Sequence, residues 1–556
     1  MTKFNEWKRA SAEHYDDGER DIDIQVWDVD FFNDVPGDLE RERAPAIDGA
    51  STGVAPQFVI NGATSDGRSI IVFAHGFVPY LYIRCPPQWY HPLDPDRQQQ
   101  ILDELRAWIE KGLIKQHKDP DTSTDYAKQR RSRHKAQQQD KHTKVLSLEI
   151  VQRTSIWGYR LPNQETKSRL VPFIKITLSV SRYVRPCREL LSKGVQLSCD
   201  TSGTGFMTFE SNILFPLRFM VDSGIVGGGW ITAKAGTYTM RHADKTTHAQ
   251  IEIDIWHSDL LVRDWQQMAP TRLVSFDIEC KSRGHFPRPQ DDPILMISNV
   301  LEETDSKGVI TKRGFSFATG TYNKVHDSPE GMQWVVYQCV TEEQMLIRWR
   351  DFILTTDPDF LLGHNVHTFD LPYMLDRARK LRVGGFNQFG RLTDPCFWRD
   401  KKMQTKAFGT QISKEVIIPG RIIFDTLQLF RKNYKRRSYA LGALAQEFVG
   451  KTKKDIHHTE ITPMYEGTDD SRTMLLIYCN WDAYLPAKMF HKTCMLVNLI
   501  QMARVTGVPI NYLLSKGEQI KGMSQILRLG RKKQYVVPFV QMEKREKYQG
   551  AEVRAF

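Results

Sequence analysis

The sequence predicts a multi-domain α/β protein, α+β in its overall layout, and three observations carry that expectation. Its 556 residues exceed what a single hydrophobic core serves, which points to two to four domains. Before Pro270 short β-type runs dominate, with a few helices between them. From Thr271 onward strand-like runs alternate with amphipathic helical stretches. A composition 40% hydrophobic and 26% charged is that of an ordinary globular protein.

Residues 1–55 open polar and include a Pro/Gly/Ala-rich stretch, 36–56, that reads as loop. Residues 57–60 and 69–74 are β-type and flank the turn pair Asp66-Gly67; residues 80–84 form a third run. Asp94 followed by Pro95 marks a helix start, and Ile101, Leu102, Leu105, Trp108 and Ile109 form the apolar stripe. Residues 119–144 are polar and basic without an apolar period. This insertion suits phosphate contact or nuclear targeting as well as it suits a solvated loop. β-type runs return at 145–151 and 173–180, and 204–265 adds further strands around the triplet Gly227-Gly228-Gly229. A boundary is expected near Pro270.

Beyond it, strands are expected at 273–278 and 294–300. A capping box, Thr341 with Gln344, opens a helix to Leu354 that buries Leu346, Trp349, Phe352 and Ile353. Residues 411–423, with the turn pair Pro419-Gly420, read as a hairpin, and 473–497 as one helix.

The 77 Lys and Arg outnumber the 66 Asp and Glu, for a net charge of +11. Excess cation points to a polyanionic partner, nucleic acid before membrane, although a merely soluble surface reads the same way. Eight scattered cysteines with no C-x-x-C pair argue against a zinc site or a disulfide framework. The first 21 residues are too polar for a secretory signal, and no apolar run approaches the roughly 18 residues of a membrane span.

Three short segments carry the chemistry. In the run Arg272-Leu273-Val274-Ser275-Phe276-Asp277-Ile278-Glu279, period two places Val274, Phe276 and Ile278 on one face and Asp277 with Glu279 on the other. Two adjacent carboxylates on a stiff strand are either solvated charge or one side of a hard-cation site. In Gly363-His364-Asn365-Val366-His367-Thr368-Phe369-Asp370-Leu371-Pro372, a helix begins around Thr368. Pro372 must lie in its first turn, so Asp370 lies at the N-terminus, where capping is the competing role. In Tyr478-Cys479-Asn480-Trp481-Asp482, Tyr478 and Asp482 are four apart and share a helix face. Four carboxylates and a tyrosine in this order suit phosphodiester hydrolysis with two Mg²⁺ or Mn²⁺ ions. Asp277 would bridge both ions, Glu279 and Asp482 would complete one shell, Asp370 would hold the other ion, and Tyr478 would orient the water. The run from Phe430 to Tyr439 interleaves cations and aromatics. Its Lys432, Tyr434, Arg436 and Arg437 suit backbone contact and base stacking, or a basic surface turn.

Phe276-Asp277-Ile278-Glu279, Asn365 with Phe369-Asp370, and Tyr478 with Asp482 resemble the Exo I, II and III motifs of family B DNA polymerases, the tyrosine-bearing DEDD 3′→5′ proofreading exonucleases. Met268-Ala269-Pro270, Arg218-Phe219-Met220-Val221-Asp222 and the run Met502 to Pro509 extend the likeness toward the eukaryotic delta branch and its relatives in large DNA viruses. From about Gln57 onward the resemblance implies a fold. Residues 56–270 would be a β-rich, OB-like polymerase N-terminal domain, 271–490 an RNase H-like exonuclease domain, and 491–556 the start of the palm. It also implies that Asn365 and Phe369 contact substrate and that the region 411–423 helps part primer from template.

The family's polymerase motifs D-x-x-S-L-Y-P-S, K-x-x-x-N-S-x-Y-G and Y-G-D-T-D do not occur in this sequence. The expectation is therefore the front half of a replicative polymerase that edits but does not polymerise by itself. Its implied partners are primer–template DNA and single-stranded 3′ ends, the palm, fingers and thumb half, and, through that half, a sliding clamp and accessory subunits. No membrane is implied. Its place would be the nucleus or a viral replication site. A stand-alone exonuclease and a non-catalytic DNA-binding module are the alternatives.

Overall fold

A computed structural model describes residues 5–44, 53–90, 94–115, 143–156 and 170–540, less 202, 244, 282–283, 326–327, 406–408 and 452–455. The basic insertion 119–144 lies outside the described residues except for its last two.

The chain opens with β1 (Ile22–Asp34), which pairs antiparallel with β2 (Ala55–Thr64). The Asp66-Gly67 turn then delivers β3 (Ser69–His75), with Gly67 in the left-handed region that suits glycine. Between β1 and β2 the stretch expected to be loop contains a short helix, α1 (Asp38–Arg43). Its Glu40 is buried and meets His75 Nδ1 at 2.5 Å, so a tertiary contact rather than local propensity holds that helix.

Next come β4 (Tyr80–Arg84) and α2 (Pro95–Lys115). Asp94 Oδ1 accepts the Arg97 N–H at 2.7 Å as the α2 cap. β5 (Val145–Ser155), β6 (Val171–Leu178), α3 (Val184–Lys193), β7 (Thr208–Phe209) and α4 (Phe215–Ser223) follow. After them come β8 (Trp230–Ala233), β9 (Tyr238–Met240), β10 (Ile251–Trp256) and β11 (Leu260–Arg263). One sheet orders its strands β11-β8-β1-β2-β3-β10-β9, with β10 parallel to β3. A second contains β5-β6-β4-β7; α2 and α3 cover it through Ile101, Leu105, Ile109, Cys187 and Leu191.

The following sheet holds β12 (Thr271–Cys280), β13 (Ile294–Thr304), β14 (Ile310–Thr319), β15 (Trp334–Cys339), β16 (Phe360–Gly363) and β19 (Ile422–Asp425), in the order β15-β14-β13-β12-β16-β19. β12, β13 and β14 run antiparallel, while β16 and β19 lie parallel to β12. Val274, Phe276 and Ile278 enter the core formed with α5 (Glu342–Thr356) and α6 (Asp370–Lys380), around the fully buried Trp349. Thr341 caps α5 by accepting the Gln344 N–H, as the capping pattern implies.

The opposite face of β12 meets a long helix, and here the expected boundaries change. After α7 (Thr426–Asn433), α8 (Leu441–Val449) and α9 (His458–Glu466), α10 runs over Asp469–Lys492. The segment expected as one helix, 473–497, breaks where Cys494 takes φ 51°, and α11 (Met495–Thr506) starts anew. The hairpin also moves. Its strands are β17 (Phe397–Thr405) and β18 (Gly409–Ile417), paired from Phe397–Ile417 to Thr405–Gly409. Pro419-Gly420 does not close it; this turn carries the chain from β18 into β19.

The last helices, α12 (Ile510–Ser515) and α13 (Gln519–Lys532), lead to β20 (Tyr535–Val536), which pairs with β5. Trp27 and Trp230, Leu273, Phe360 and Phe424, and Ile500 and Val508 share one core, so the regions on either side of Pro270 are packed together.

Candidate active site

β12 places the first two carboxylates. Glu279 is buried and Asp277 partly exposed, both on the α10 side of the strand. Ser275, two residues earlier on that face, donates to the Ala483 carbonyl of α10 at 2.6 Å and sets the helix against the strand. Ser298 and Ser316 of the neighbouring strands add bonds of 2.8 Å to Asn480 Oδ1. Thus seated, α10 brings the Cys479 thiol to the carboxylates: one oxygen each from Asp277 and Glu279 and the Cys479 sulfur lie within 4.8 Å of one another. Asp482, one turn further along, is buried. Tyr478 is half-buried against the apolar cluster that includes Leu295, Met296 and Leu475.

The fourth carboxylate arrives from the other side. α6 begins at Asp370 itself, two residues later than expected. Asp370 Oδ1 accepts the Ile278 N–H at 3.3 Å, so it touches β12 between Asp277 and Glu279. Burial pushes the Asp370 carboxyl up to about 8; the negative charges of Asp425 and Asp482 add to the rise, and main-chain hydrogen bonds oppose it. Burial, and then the charges of Asp277 and Glu279, hold the Cys479 thiol well above its usual range, so it borders the site as a neutral group.

This is a concentration of negative charge that calls for a cation. Oxygen donors with a protonated thiol suit a hard divalent ion better than a soft one. The residues present therefore fit the expected Mg²⁺ or Mn²⁺, with Asp277, Glu279, Asp370 and Asp482 as candidate ligands.

The expected substrate contacts divide. Asn365 adopts φ 69° in the loop before α6. Phe369 packs edge-on to Phe286, with ring centroids 5.3 Å apart, and Phe286 is 73% exposed, an aromatic surface the sequence reading did not single out. The basic run behaves otherwise. Lys432 donates to the Leu513 carbonyl at 2.9 Å and pairs with Glu518 at 3.2 Å. Tyr434 packs into the Phe430–Phe448 cluster, and Arg436 pairs with Glu447. Arg437 is exposed. Lys432 and Tyr434 also line a cleft of about 300 Å³ with His367, Asp425, Asn433 and Met495.

Asp425 is the main residue the sequence reading missed. It follows the apolar run Ile422-Ile423-Phe424, which lacks the alternation that singled out Asp277 and Glu279.

The family described as DNA polymerase family B, exonuclease domain, matches residues 206–444. The chain carries a family B DNA polymerase exonuclease domain. This exonuclease domain is RNase H-like, a mixed sheet flanked by helices. The family match ends before α10 and does not reach Tyr478 or Asp482.

Among similar proteins are DNA polymerase delta catalytic subunits. That of Glycine max is 36% identical over 88% of this chain and 42% of its own length. That of Oryza sativa is 34% identical over 99% of this chain and 46% of its own. The Bos taurus protein is 34% identical over 88% of this chain and 41% of its own. The chain spans less than half the length of these relatives. The family B DNA polymerase of the archaeon Pyrobaculum calidifontis shares the fold, with a TM-score of 0.59 at 18% identity over 95% of this chain and 53% of that one.

Proposed function

We propose that this chain is the N-terminal and proofreading exonuclease portion of a replicative family B DNA polymerase and removes 3′-terminal nucleotides from DNA. The observation that carries the reading is the contact of Asp370 of α6 with β12 between Asp277 and Glu279, beside Cys479 of α10, with Asp482 near enough for its charge to act on Asp370. Asp277, Glu279, Asp370 and Asp482 would hold two divalent ions. When bound, these ions would activate a water and stabilise the leaving oxygen. Tyr478 would orient that water through a hydroxyl that both donates and accepts. Asn365, Phe369 and the exposed Phe286 stand on the α6 side of the site and would meet the terminal nucleotides. The excess of cations favours a DNA backbone.

The whole protein would be a DNA-directed DNA polymerase acting in DNA replication in the nucleus. Its nucleotidyl-transfer site would lie in a palm, fingers and thumb half, through which a clamp and accessory subunits are reached. Among the described residues no helix is long and apolar enough to cross a membrane.

The test is Mg²⁺- or Mn²⁺-dependent shortening of a 5′-labelled primer with a mismatched 3′ end. Asp277→Ala is expected to abolish it by several decades. Unchanged activity in that variant would refute the assignment.

A further inference from the structure

Asp425 stands at the carboxyl end of β19, directly beside Gly363 of β16 in the parallel register. Its side chain is 3% exposed and both oxygens are occupied. Oδ1 accepts the Leu427 N–H at 3.0 Å, the ordinary work of a helix N-cap. The same oxygen accepts the Asn365 N–H at 2.9 Å, and Oδ2 accepts the His367 N–H at 3.2 Å. A cap has no need of those two bonds. Thr426 extends the hold: its hydroxyl donates to the Gly363 carbonyl at 3.1 Å and lies 2.9 Å from His364 Nδ1. Two consecutive residues thus grip Gly363, His364, Asn365 and His367.

What they grip leads to the site. Asn365 is a non-glycine residue at φ 69°, a conformation costing of order 1 kcal/mol unless its surroundings impose it. From there the Asn365 carbonyl accepts the N–H groups of Thr368 and Phe369, both at 3.0 Å, and the Val366 carbonyl accepts that of Leu371 at 3.2 Å. This short run of main-chain bonds ends on either side of Asp370.

We propose that Asp425 is a positioning residue of the nuclease site, holding the 364–369 loop so that Asp370 reaches β12 where a divalent ion would be shared with Asp277. The inference rests on the nuclease reading above and assigns the role to a residue that touches neither substrate nor ion.

Asp425→Ser separates capping from positioning. Serine keeps one oxygen for the Leu427 N–H and is a good N-cap, but it is too short to hold both loop N–H groups. Three quantities are read on the full chain: the thermal midpoint, kcat and KM on a 3′-ended oligonucleotide, and Mn²⁺ affinity by calorimetry without DNA. The expected result is a midpoint close to the parent's and an unchanged KM. kcat should fall about 10–100-fold and Mn²⁺ should bind about tenfold more weakly, as for loss of a partner that orients metal ligands. Parent-like kcat and Mn²⁺ affinity in the variant would overturn the role. If the parent protein itself shows no nuclease activity, the nuclease reading fails and calorimetry decides the Asp425 question separately. Weaker Mn²⁺ binding in the variant then supports it; equal binding, or none by the parent, overturns it. Should Asp425→Ser not fold, Asp425→Asn, which keeps the shape and one acceptor, is judged by the same measurements.

Discussion

Asp359→Ala perturbs a buried charge cluster at the foot of the two strands that lead to the carboxylates. Arg9, Arg391 and Arg421 share the carboxylates of Asp357 and Asp359, and none of the five side chains is more than 7% exposed. Three cations against two anions leave one positive charge uncompensated. The consequence is visible at Arg421, whose guanidinium burial pulls down to about 10; Arg391 pushes the same way and Asp357 opposes.

Removing Asp359 leaves three cations on one anion. It also strips the Arg272 N–H of an acceptor at 2.8 Å, just where β12 begins. Breaking a buried ion pair from one side costs about 3–5 kcal/mol, and an orphaned buried donor adds about 1–3 kcal/mol. A total near 5 kcal/mol follows. Removing Arg9 instead leaves two cations on two anions. It loses bonds to the Asp357 and Gly67 carbonyls and to Asp359 Oδ2 but relieves repulsion, for a net cost of about 2 kcal/mol.

The gap of about 3 kcal/mol is roughly two decades in the unfolding equilibrium. Urea unfolding followed by tryptophan fluorescence measures it, and the double variant should cost at least about 1 kcal/mol less than the sum of the singles. Equal costs for the two single variants, or strict additivity, would refute the charge count.

Three further outcomes are expected. Burial disfavours the His75 imidazolium, but Asp254 and Glu40 on its two nitrogens outweigh this and raise its pKa to about 9. Since the folded value is raised, the stabilisation, at most about 3 kcal/mol, is full below pH 6.5 and is lost as pH climbs through about 9; His75→Gln should flatten the stability–pH curve over that window. Gly227→Ala should destabilise by about 2 kcal/mol or more, because the new Cβ would overlap the Val508 main-chain carbonyl, which no side-chain rotation relieves; thermal unfolding measures it. Thiophilic Cd²⁺ should inhibit the Mg²⁺-dependent reaction by recruiting the Cys479 sulfur beside Asp277 and Glu279, and Cys479→Ala should relieve the inhibition in a Cd²⁺ titration; equal sensitivity would count against that placement.

Local pattern made the central strand and both carboxylate-bearing helices legible. Alternation in β12 sorted Val274, Phe276 and Ile278 from Asp277 and Glu279, and Pro372 fixed the start of α6 to within two residues. β17 was invisible for a physical reason. Phe397–Thr405, with Arg399, Asp400, Lys401 and Lys402, pairs with β18 alone in a two-stranded ribbon and joins no larger sheet; Trp398 packs on the core, but the sequence carries no apolar period. The break at Cys494 was hidden because neither glycine nor proline marks it. Asp425 was not singled out by the sequence; it sits between β19 and α7. Its second task depends on β16 and β19 becoming neighbours across some sixty residues, and single-sequence periodicity carries no such information.

The same long-range packing bears on where the nuclease unit ends. Leu273, Phe360, Leu362, Ile422 and Phe424, on the strands that lead to the site, share a core with Met495, Ile500, Ala503, Val508, Ile510 and Leu513. Side chains of this size are worth about 1.5–3 kcal/mol each when buried, so baring several of them exceeds the net stability of a typical domain. Polar ties run the same way: Lys432 of α7 bonds to the Leu513 carbonyl, and Lys401 of the hairpin to the Ser515 carbonyl. A cut at residue 490 would therefore remove one wall of the core beneath β12, β16 and β19 and release the base of the hairpin. The helices from Met495 to Lys532 are structural members of the site-bearing body, and through β20 they also hold it to the N-terminal sheet.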